Sequence, residues 1–192
     1  DDEKISSVLI KEKNNDEQKE IPTDLMVIAA GIKPETTLAE QAGCKIGKTK
    51  AIKVDNQAKT SKESIYAVGD CTEYVDFVTG TPVPIGLGSI AVRQGIAAGT
   101  NAAGGTYTLP KGALQTATSE FFNIEIGSVG PSLETRKNKK TVTAKHKGLS
   151  KPEYFPGGKP IMMKTIVDLE TGKVIGAQAV GENAAQRVNT YA

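Results

Sequence analysis

The stretch that decides the fold is residues 60–73, TSKESIYAVGDCTE, followed by residues 81–105, TPVPIGLGSIAVRQGIAAGTNAAGG. Within it, residues 65–68 are predicted to form a short buried strand that ends at Gly69 and Asp70, where the chain must change direction. In open α/β sheets, ligands bind at the edge where such strands end. Asp70 is therefore a candidate acceptor for ligand hydroxyl groups. The alternative is a turn Asp that caps its own backbone.

Residues 87–103 are predicted to be helical despite three glycines, Gly88, Gly95 and Gly99. Each glycine costs about 1 kcal/mol in a helix interior, so three of them indicate a face that a backbone or a ligand approaches closely. At the start, from Leu87 to Ser89, free N–H groups and the positive end of the helix dipole can stabilise an electron-rich ligand atom. An ordinary helix start is the alternative.

The upstream part begins with a polar segment, residues 6–24, predicted to be an exposed hairpin with its turn at residues 14–16. Residues 24–30, DLMVIAA, form a continuous apolar run that ends at Gly31. Such a run is typical of a strand covered on both faces in a parallel sheet. We therefore expect an α/β arrangement in this part of the chain.

Two short elements are expected next. Thr36 is predicted to cap a helix through about residue 42, with Gly43 as its C-terminal glycine. Residues 52–54 are predicted to form a strand, joined by a polar turn to the one at residues 65–68. Gly-rich residues 104–110 then read as a linker.

The pattern changes after the linker to alternating apolar and polar residues, typical of half-buried strands. Strands are predicted at residues 120–126, 141–147, 161–168 and 173–180, the last two joined as a hairpin. A helix is predicted from Glu182. The chain is thus expected to have an α/β half up to about residue 108 and an antiparallel α+β half after it.

Composition excludes several classes of function. The chain has 192 residues, with 24 basic and 22 acidic side chains, and its net charge of +2 is too small to indicate a nucleic-acid partner. The apolar run at residues 25–32 is too short to span a membrane. His146 is the only histidine, so no multi-histidine metal site is expected. Cys44 and Cys71 suit a reducing cytoplasm, and both are expected to be inert.

The first residues, DDEK, resemble no signal peptide, and no Met precedes them, so we expect a fragment.

Taken together, these segments resemble the FAD-dependent pyridine nucleotide–disulfide oxidoreductases, in particular the branch of NADH oxidases, NADH peroxidases and coenzyme A-disulfide reductases. Residues 60–73 and 81–105 resemble its last flavin-binding segment. Residues 24–36, DLMVIAAGIKPET, are similar to the strand and turn that close its NAD domain. Residues 154–181, YFPGGKPIMMKTIVDLETGKVIGAQAVG, are similar to its C-terminal dimerisation domain.

The resemblance implies a fold class: an α/β remnant of a nucleotide-binding domain followed by an α+β dimerisation domain with an antiparallel sheet. Residues 1–34 would be the end of the NAD-binding domain and residues 35–108 the C-terminal part of the FAD-binding domain. Residues 112–192 would be the dimerisation domain, with its last helix cut short at Ala192.

The resemblance also implies cofactor contacts. Asp70 would hydrogen-bond the ribityl chain of FAD, with Gly69 giving it room. The backbone N–H groups of Leu87, Gly88 and Ser89 would approach the pyrimidine edge of the flavin, where a helix N-terminus stabilises negative charge. Gly31 would lie beside the NAD(P)H site, or else only shape the crossover between domains.

Tyr154 and Phe155 match the aromatic pair of the dimerisation domain. In the coenzyme A-disulfide reductase group, tyrosines of this domain reach the partner subunit's active site and assist thiol chemistry. Tyr154 is therefore a candidate catalytic residue, while Phe155 stands where a second Tyr is common. The alternative for Tyr154 is a packed aromatic side chain at a subunit interface.

The implied parent is a cytoplasmic homodimer, joined through residues 112–192, that passes electrons from NAD(P)H via FAD to oxygen, peroxide or a disulfide such as coenzyme A disulfide. The electron acceptor and the choice of NADH or NADPH stay open. The family's GxGxxG turn and reactive cysteine do not occur in this sequence. The isolated chain is therefore expected to be inactive. The alternative is a non-catalytic dimerisation module or truncated product that does not bind FAD by itself.

Overall fold

The computed structural model describes residues 4–12, 16–84, 86–131, 136 and 140–192. The chain divides into two compact units, Asp1–Lys33 and Pro34–Ala192. In the first unit, strand β1 (Ser7–Lys11) pairs antiparallel with β2 (Gln18–Pro22). This confirms the predicted hairpin. Of its predicted turn, Asn14 and Asn15 lie outside the described residues.

The apolar run at residues 24–30 forms no strand, contrary to the prediction. The side chains of Leu25, Val27 and Ile28 are 76–80% exposed. A strand buried on both faces needs neighbouring strands and covering helices. In the described part of this unit, the only sheet is β1 with β2, and the run pairs with neither.

The second unit starts with a small mixed sheet and two helices. In chain order its elements are helix α1 (Thr37–Gln41), strand β3 (Ile52–Lys53), a 3-10 turn (Gly69–Cys71), strands β4 (Thr72–Val75) and β5 (Pro82–Pro84), and helix α2 (Gly88–Ala102). Strand β4 is central, parallel to β3 and antiparallel to β5. The helix predicted at residues 87–103 is confirmed as α2.

The strand predicted at residues 65–68 is wrong, because the pairing strand is β4, a few residues later. The N–H of Ala67 donates to the carbonyl of Ala58 (3.1 Å), and that of Thr60 donates to the carbonyl of Ile65 (2.9 Å). These bonds fold residues 58–67 into a closed loop, which leaves one isolated bridge between Lys59 and Tyr66.

Gly43 is the C-terminal glycine of helix α1, as predicted: it follows the C-cap residue Ala42 and has φ +73°. The start of the helix differs from the prediction. The hydroxyl of Thr36 donates to the Glu40 carboxylate (2.8 Å), while the Glu35 carboxylate accepts the N–H of Thr37 (2.9 Å). The acidic neighbour thus takes the capping role expected of Thr36.

The rest of the second unit is a five-stranded antiparallel sheet in the order β6-β7-β10-β9-β8. Its strands are β6 (Ala117–Phe121), β7 (Ile124–Val129), β8 (Thr141–Leu149), β9 (Pro160–Asp168) and β10 (Val174–Gly181), followed by helix α3 (Ala184–Asn189). Val188 and Ala184 of α3 pack on one face against Val129, Ala177 and Ala179. The predicted hairpin β9–β10 is confirmed, as is the helix after Glu182.

The single strand predicted at residues 120–126 is a hairpin instead. Phe122 and Asn123 form its two-residue turn, with φ of +49° and +63°. Two left-handed residues in succession suit the twist of a tight hairpin, but Phe is an unusual residue there. The apolar pattern of EFFNIEI therefore concealed the turn.

The architecture confirms the predicted order of fold classes, an α/β part followed by an α+β domain with an antiparallel sheet. None of the helices in the described ranges is long and apolar enough to cross a membrane.

Candidate functional site

The turn that carries Asp70 is held against helix α2. Gly69 has φ +81°, a conformation that glycine adopts without strain. Its N–H donates to Oε1 of Gln94 on α2 (2.8 Å), and its carbonyl accepts the hydroxyl of Thr72 (2.8 Å). A Cβ at Gly69 would lie 3.7 Å from Cβ of Ala91, in the first turn of α2.

Gln94 is the buried hub of this contact. Its side chain is 1% exposed, and its Nε2 donates to Oγ1 of Thr72 (3.0 Å). Sequence reasoning missed both residues. The available signal was helical spacing, because Gln94 shares a face with Ala97 and Asn101, the other buried residues of α2. A polar side chain on a buried face must find internal hydrogen bonds.

Asp70 is exposed and points its carboxylate to no partner among the residues that the structure describes. The alternative interpretation, a turn Asp that caps its own backbone, would need a hydrogen bond from a neighbouring N–H group. None of the described N–H groups makes one. Asp70 therefore retains its capacity to accept hydrogen bonds from a ligand.

The start of α2 lies next to this turn and is uncapped. Leu87 is the residue before the first helical turn, none of the described side chains caps the helix, and the first turn holds no acidic residue. Gly88 and Ser89 are exposed. A Cβ at Gly88 would meet no atom within 4 Å. The positive end of α2 is thus open to an electron-rich group.

Leu87 also borders two clefts. One, of about 500 Å³, includes Ser89, Arg93 and Tyr74, and the other, of about 310 Å³, includes Gln115. Burial raises the pKa of the Tyr74 hydroxyl, and Arg93 opposes that rise. The Tyr74 phenol is therefore neutral at physiological pH and can donate a hydrogen bond.

These residues fit a flavin dinucleotide. Asp70 offers an acceptor for hydroxyl groups, and the start of α2 offers N–H donors. At Gly88, no described atom would block a ligand that approaches these donors from solvent. Added Cβ atoms at Gly95 and Gly99 would likewise meet nothing within 4 Å. The close approach predicted for these two glycines is therefore not made by any described residue.

Gly31 lies in the first unit, with φ +86° and no atom within 4 Å of an added Cβ. Its left-handed conformation explains the glycine. Its role beside an NAD(P)H site stays a prediction.

Tyr154 lies in the loop between β8 and β9 and is 83% exposed. Its ring packs on that of Phe155, with centroids 5.6 Å apart and planes at 53°. No hydrogen bond or ring contact between described residues joins it to the Asp70 turn or to the start of α2. Within one chain, the structure therefore brings the predicted FAD residues together and leaves Tyr154 apart from them.

The two cysteines are unpaired. The thiol of Cys44 is buried, 3.5 Å from Oγ1 of Thr60, and the thiol of Cys71 donates to the carbonyl of Val68 (3.3 Å). Among the described residues, no group of three or more His, Cys, Asp or Glu side chains is placed to hold a metal ion.

Comparison with known proteins defines the class. Residues 1–103 match the family described as pyridine nucleotide-disulphide oxidoreductase, and residues 116–192 match the dimerisation domain of that family. The chain therefore belongs to the pyridine nucleotide-disulphide oxidoreductases, which are oxidoreductases that use NAD(P)H.

Individual relatives narrow the resemblance. The chain is 39% identical over 175 residues to the "NAD(P)H sulfur oxidoreductase (CoA-dependent)" of Pyrococcus furiosus, covering 90% of this chain and 39% of that protein. It is 40% identical over 190 residues to a NADH oxidase of Methanocaldococcus jannaschii, covering 97% and 40%. A solved NAD-dependent persulfide reductase from A. fulgidus superposes with a TM-score of 0.83 at 39% identity, covering 90% of this chain and 33% of that one. The chain thus spans about two fifths of the curated relatives.

Proposed function

We propose that this chain is the C-terminal part of a flavoprotein that passes electrons from NAD(P)H via FAD to oxygen, peroxide or a disulfide such as coenzyme A disulfide. The observation that carries the proposal is the start of α2 beside the exposed carboxylate of Asp70, neither of which is capped or paired by a side chain that the structure describes. FAD, when bound, supplies the hydride acceptor that no amino-acid side chain can provide. The names of two relatives, a CoA-dependent NAD(P)H sulfur oxidoreductase and a NADH oxidase, support electron transfer from NADH or NADPH.

In this proposal Asp70 accepts hydrogen bonds from the ribityl hydroxyls of FAD. The bond from Gly69 to Gln94 fixes the turn before FAD arrives, so binding need not order it. The backbone N–H groups of Leu87, Gly88 and Ser89 donate toward the pyrimidine edge of the ring. Their helix dipole stabilises negative charge there, by about 0.3–1 kcal/mol at an exposed site and more where water is excluded.

The domain boundaries in this proposal are residues 1–34 for the end of the NAD-binding domain, 35–108 for the FAD-binding part and 112–192 for the dimerisation domain. Gly31 lies beside NAD(P)H. The pattern of unpaired cysteines supports a cytoplasmic location.

We also propose that two copies associate through residues 112–192. Val180 on β10 is directly opposite Ile126 on β7 and Met162 on β9, so the three side chains form one row across the sheet. They are 41–45% exposed, on the face opposite α3. Covering such a row in a second subunit removes apolar surface from water. Tyr154, exposed on the same domain, would then serve thiol chemistry in the partner's active site.

The test is a panel of assays on the purified parent protein. We expect the visible absorption spectrum to show the band of a bound flavin. We also expect the protein to oxidise NADH or NADPH when oxygen, hydrogen peroxide or coenzyme A disulfide is supplied as the acceptor. A parent protein without flavin, or one that oxidises neither nucleotide with any acceptor, would contradict the proposal.

A second candidate is a non-catalytic dimerisation module that binds no FAD by itself. The observation that favours it is the exposure of the apolar residues 25–28, which no element in the described part of the chain covers. The source reading frame separates the two candidates. Continuation upstream into a GxGxxG turn and a reactive cysteine favours the enzyme, and a frame that lacks both favours the module.

A further inference from the structure

The loop that carries Tyr154, residues 150–159, is closed at its base by one buried serine. The N–H of Ser150 donates to the carbonyl of Lys159 (2.8 Å), and Oγ of Ser150 accepts the N–H of Lys159 (3.0 Å). Ser150 is 4% exposed. Each end of the loop thus donates a hydrogen bond to the other end.

The same serine ties the base of the loop to the junction of β10 and α3. Its hydroxyl donates to Oε2 of Glu182, and its carbonyl accepts a hydrogen bond from Nη2 of Arg187 (2.7 Å). Nζ of Lys159 lies 3.6 Å from Oε1 of Glu182. Every polar group of Ser150 therefore has a partner on the loop or on this junction.

Helix α3 is fixed to the sheet by other residues. The carboxylate of Glu125 on β7 accepts the N–H groups of Asn183 (3.3 Å) and Ala185 (3.2 Å). Val188 packs over Gly127, where no Cβ would fit. The helix that holds the loop therefore does not depend on Glu182 for its own position.

Beyond the base, the loop is short and internally bonded. The N–H of Phe155 donates to the carbonyl of Pro152 (2.8 Å), and the rings of Phe155 and Tyr154 are in contact. The Tyr154 hydroxyl makes no hydrogen bond to a described residue. Its place relative to the sheet is therefore set through the base of the loop.

We propose that Ser150 and Glu182 are positioning residues for Tyr154. Their hydrogen bond holds the loop so that Tyr154 projects at one place toward the thiol substrate bound in the partner subunit. The inference rests on the proposed role of Tyr154 in that chemistry. Displacement of a reacting group by about 1 Å lowers the rate by up to about a hundredfold. A loop that keeps Tyr154 in place would therefore raise the rate of the thiol reaction.

The charges around Glu182 suit this role. The hydrogen bond from Ser150 lowers the pKa of Glu182, and Lys159 and Lys151 lower it further, against desolvation. Glu182 is therefore ionised at neutral pH and accepts the hydrogen bond from the Ser150 hydroxyl as a charged acceptor, which makes the bond stronger than one between neutral groups.

The experiment compares Glu182→Ala with Glu182→Gln in the parent protein, with Glu153→Ala and Glu153→Gln as matched controls. Glu153 is exposed in the same loop. Gln keeps an oxygen that can accept the hydrogen bond from the Ser150 hydroxyl, and Ala does not. For Glu182→Ala we expect amide exchange of residues 151–158 to rise about tenfold, and kcat with coenzyme A disulfide to fall about three- to tenfold. Turnover with ferricyanide, which needs no tyrosine, should stay unchanged, and Glu182→Gln should restore most of both effects.

Four results would overturn the inference. The first is unchanged loop exchange in Glu182→Ala. The second is faster loop exchange in Glu182→Ala without a change in its kcat, while Tyr154→Phe does lower kcat. This result would leave the proposed role of Tyr154 intact. The third is an unchanged kcat in Tyr154→Phe itself, which overturns that role and the inference together. An equal loss with ferricyanide and disulfide would indicate general damage and also count against positioning.

Discussion

The N–H of Gly69 donates to Oε1 of Gln94 at 2.8 Å, which joins the turn before Asp70 to the second turn of helix α2. Because the start of the same helix bears the uncapped N–H groups, the two halves of the proposed FAD site are connected through one rigid element. The acceptor for the ribityl hydroxyls and the donors for the ring edge therefore keep a constant separation.

Replacement of Gln94 by Ala tests this connection. It leaves the Gly69 N–H without its acceptor and removes the Nε2 donor to Oγ1 of Thr72, whose hydroxyl keeps its own bond to the Gly69 carbonyl. We therefore expect the free energy of unfolding to fall by about 1–3 kcal/mol. Urea unfolding measures the loss. Thr100→Ala, on an exposed position of α2, is the control and should stay within about 0.5 kcal/mol. A similar, small effect for both variants would contradict the hub role of Gln94.

Gly47 lies close to the side chain of Glu73 on strand β4. A Cβ there would overlap the carboxylate of Glu73, which accepts the N–H (2.9 Å) and the hydroxyl (3.0 Å) of Thr49. Gly47→Ala must displace that carboxylate, so we expect a loss of about 1–2 kcal/mol in the stability of the chain.

Gly95→Ala is the matched control for Gly47→Ala. It adds the same atom to an open helical position, and we expect a gain of about 0.5–1 kcal/mol. Thermal or urea unfolding of the two variants should therefore shift in opposite directions. A shift in the same direction would show that the space around one of the two glycines is wrongly described.

The sequence predicted elements whose signals are local. Helix α2, the hairpin of β9 and β10 and the glycine end of α1 at Gly43 follow from periodicity and turn residues within each segment. The runs at residues 24–30 and 65–68 were wrong as strands, because an apolar run reports a tendency to be buried and carries no information on whether a partner strand is present.

The candidate site was predictable only in part. Asp70 and residues 87–89 stand out through a glycine turn and a glycine-rich helix start, whereas Gln94 looks like any polar helix residue until its spacing from Ala97 and Asn101 is considered. The contact at the base of the Tyr154 loop could not be predicted from the sequence. Ser150 and Glu182 are 32 residues apart, and only the order of strands in the sheet brings them together.

Phe122 offers a test of the turn that the sequence concealed. The residue has φ +49° and is 96% exposed, so it gains little from packing within the chain and adopts a conformation that costs a bulky residue free energy. We expect Phe122→Asn to stabilise the chain by roughly 0.5–1 kcal/mol, because Asn favours this turn position. Urea unfolding checks the sign, and a loss of stability would mean that the Phe122 ring packs on another surface.

The dependence of stability on pH follows from the lowered pKa of Glu182. Since its pKa in the folded chain lies below the unfolded value of about 4.3, the carboxylate stabilises the fold fully above that value. The contribution is lost as the pH falls through the folded pKa. We therefore expect the stability difference between wild type and Glu182→Gln to be constant above about pH 5 and to shrink below about pH 4.

Urea unfolding between about pH 3 and pH 7 measures this difference. Glu153→Gln is the control, because that side chain is exposed in the same loop and should show no comparable decrease. A Glu182→Gln difference that is the same at every pH would contradict the assigned hydrogen bond from Ser150.

Asp70 and the start of α2 are proposed to bind FAD. The most direct test of this proposal is the visible absorption spectrum of the purified parent protein after desalting, for wild type, Asp70→Ala and the exposed control Glu63→Ala, followed by FAD titration. We expect wild type and Glu63→Ala to retain the flavin band and Asp70→Ala to lose most of it, with a Kd for FAD at least about tenfold weaker. Equal retention and an equal Kd in Asp70→Ala would contradict the proposal.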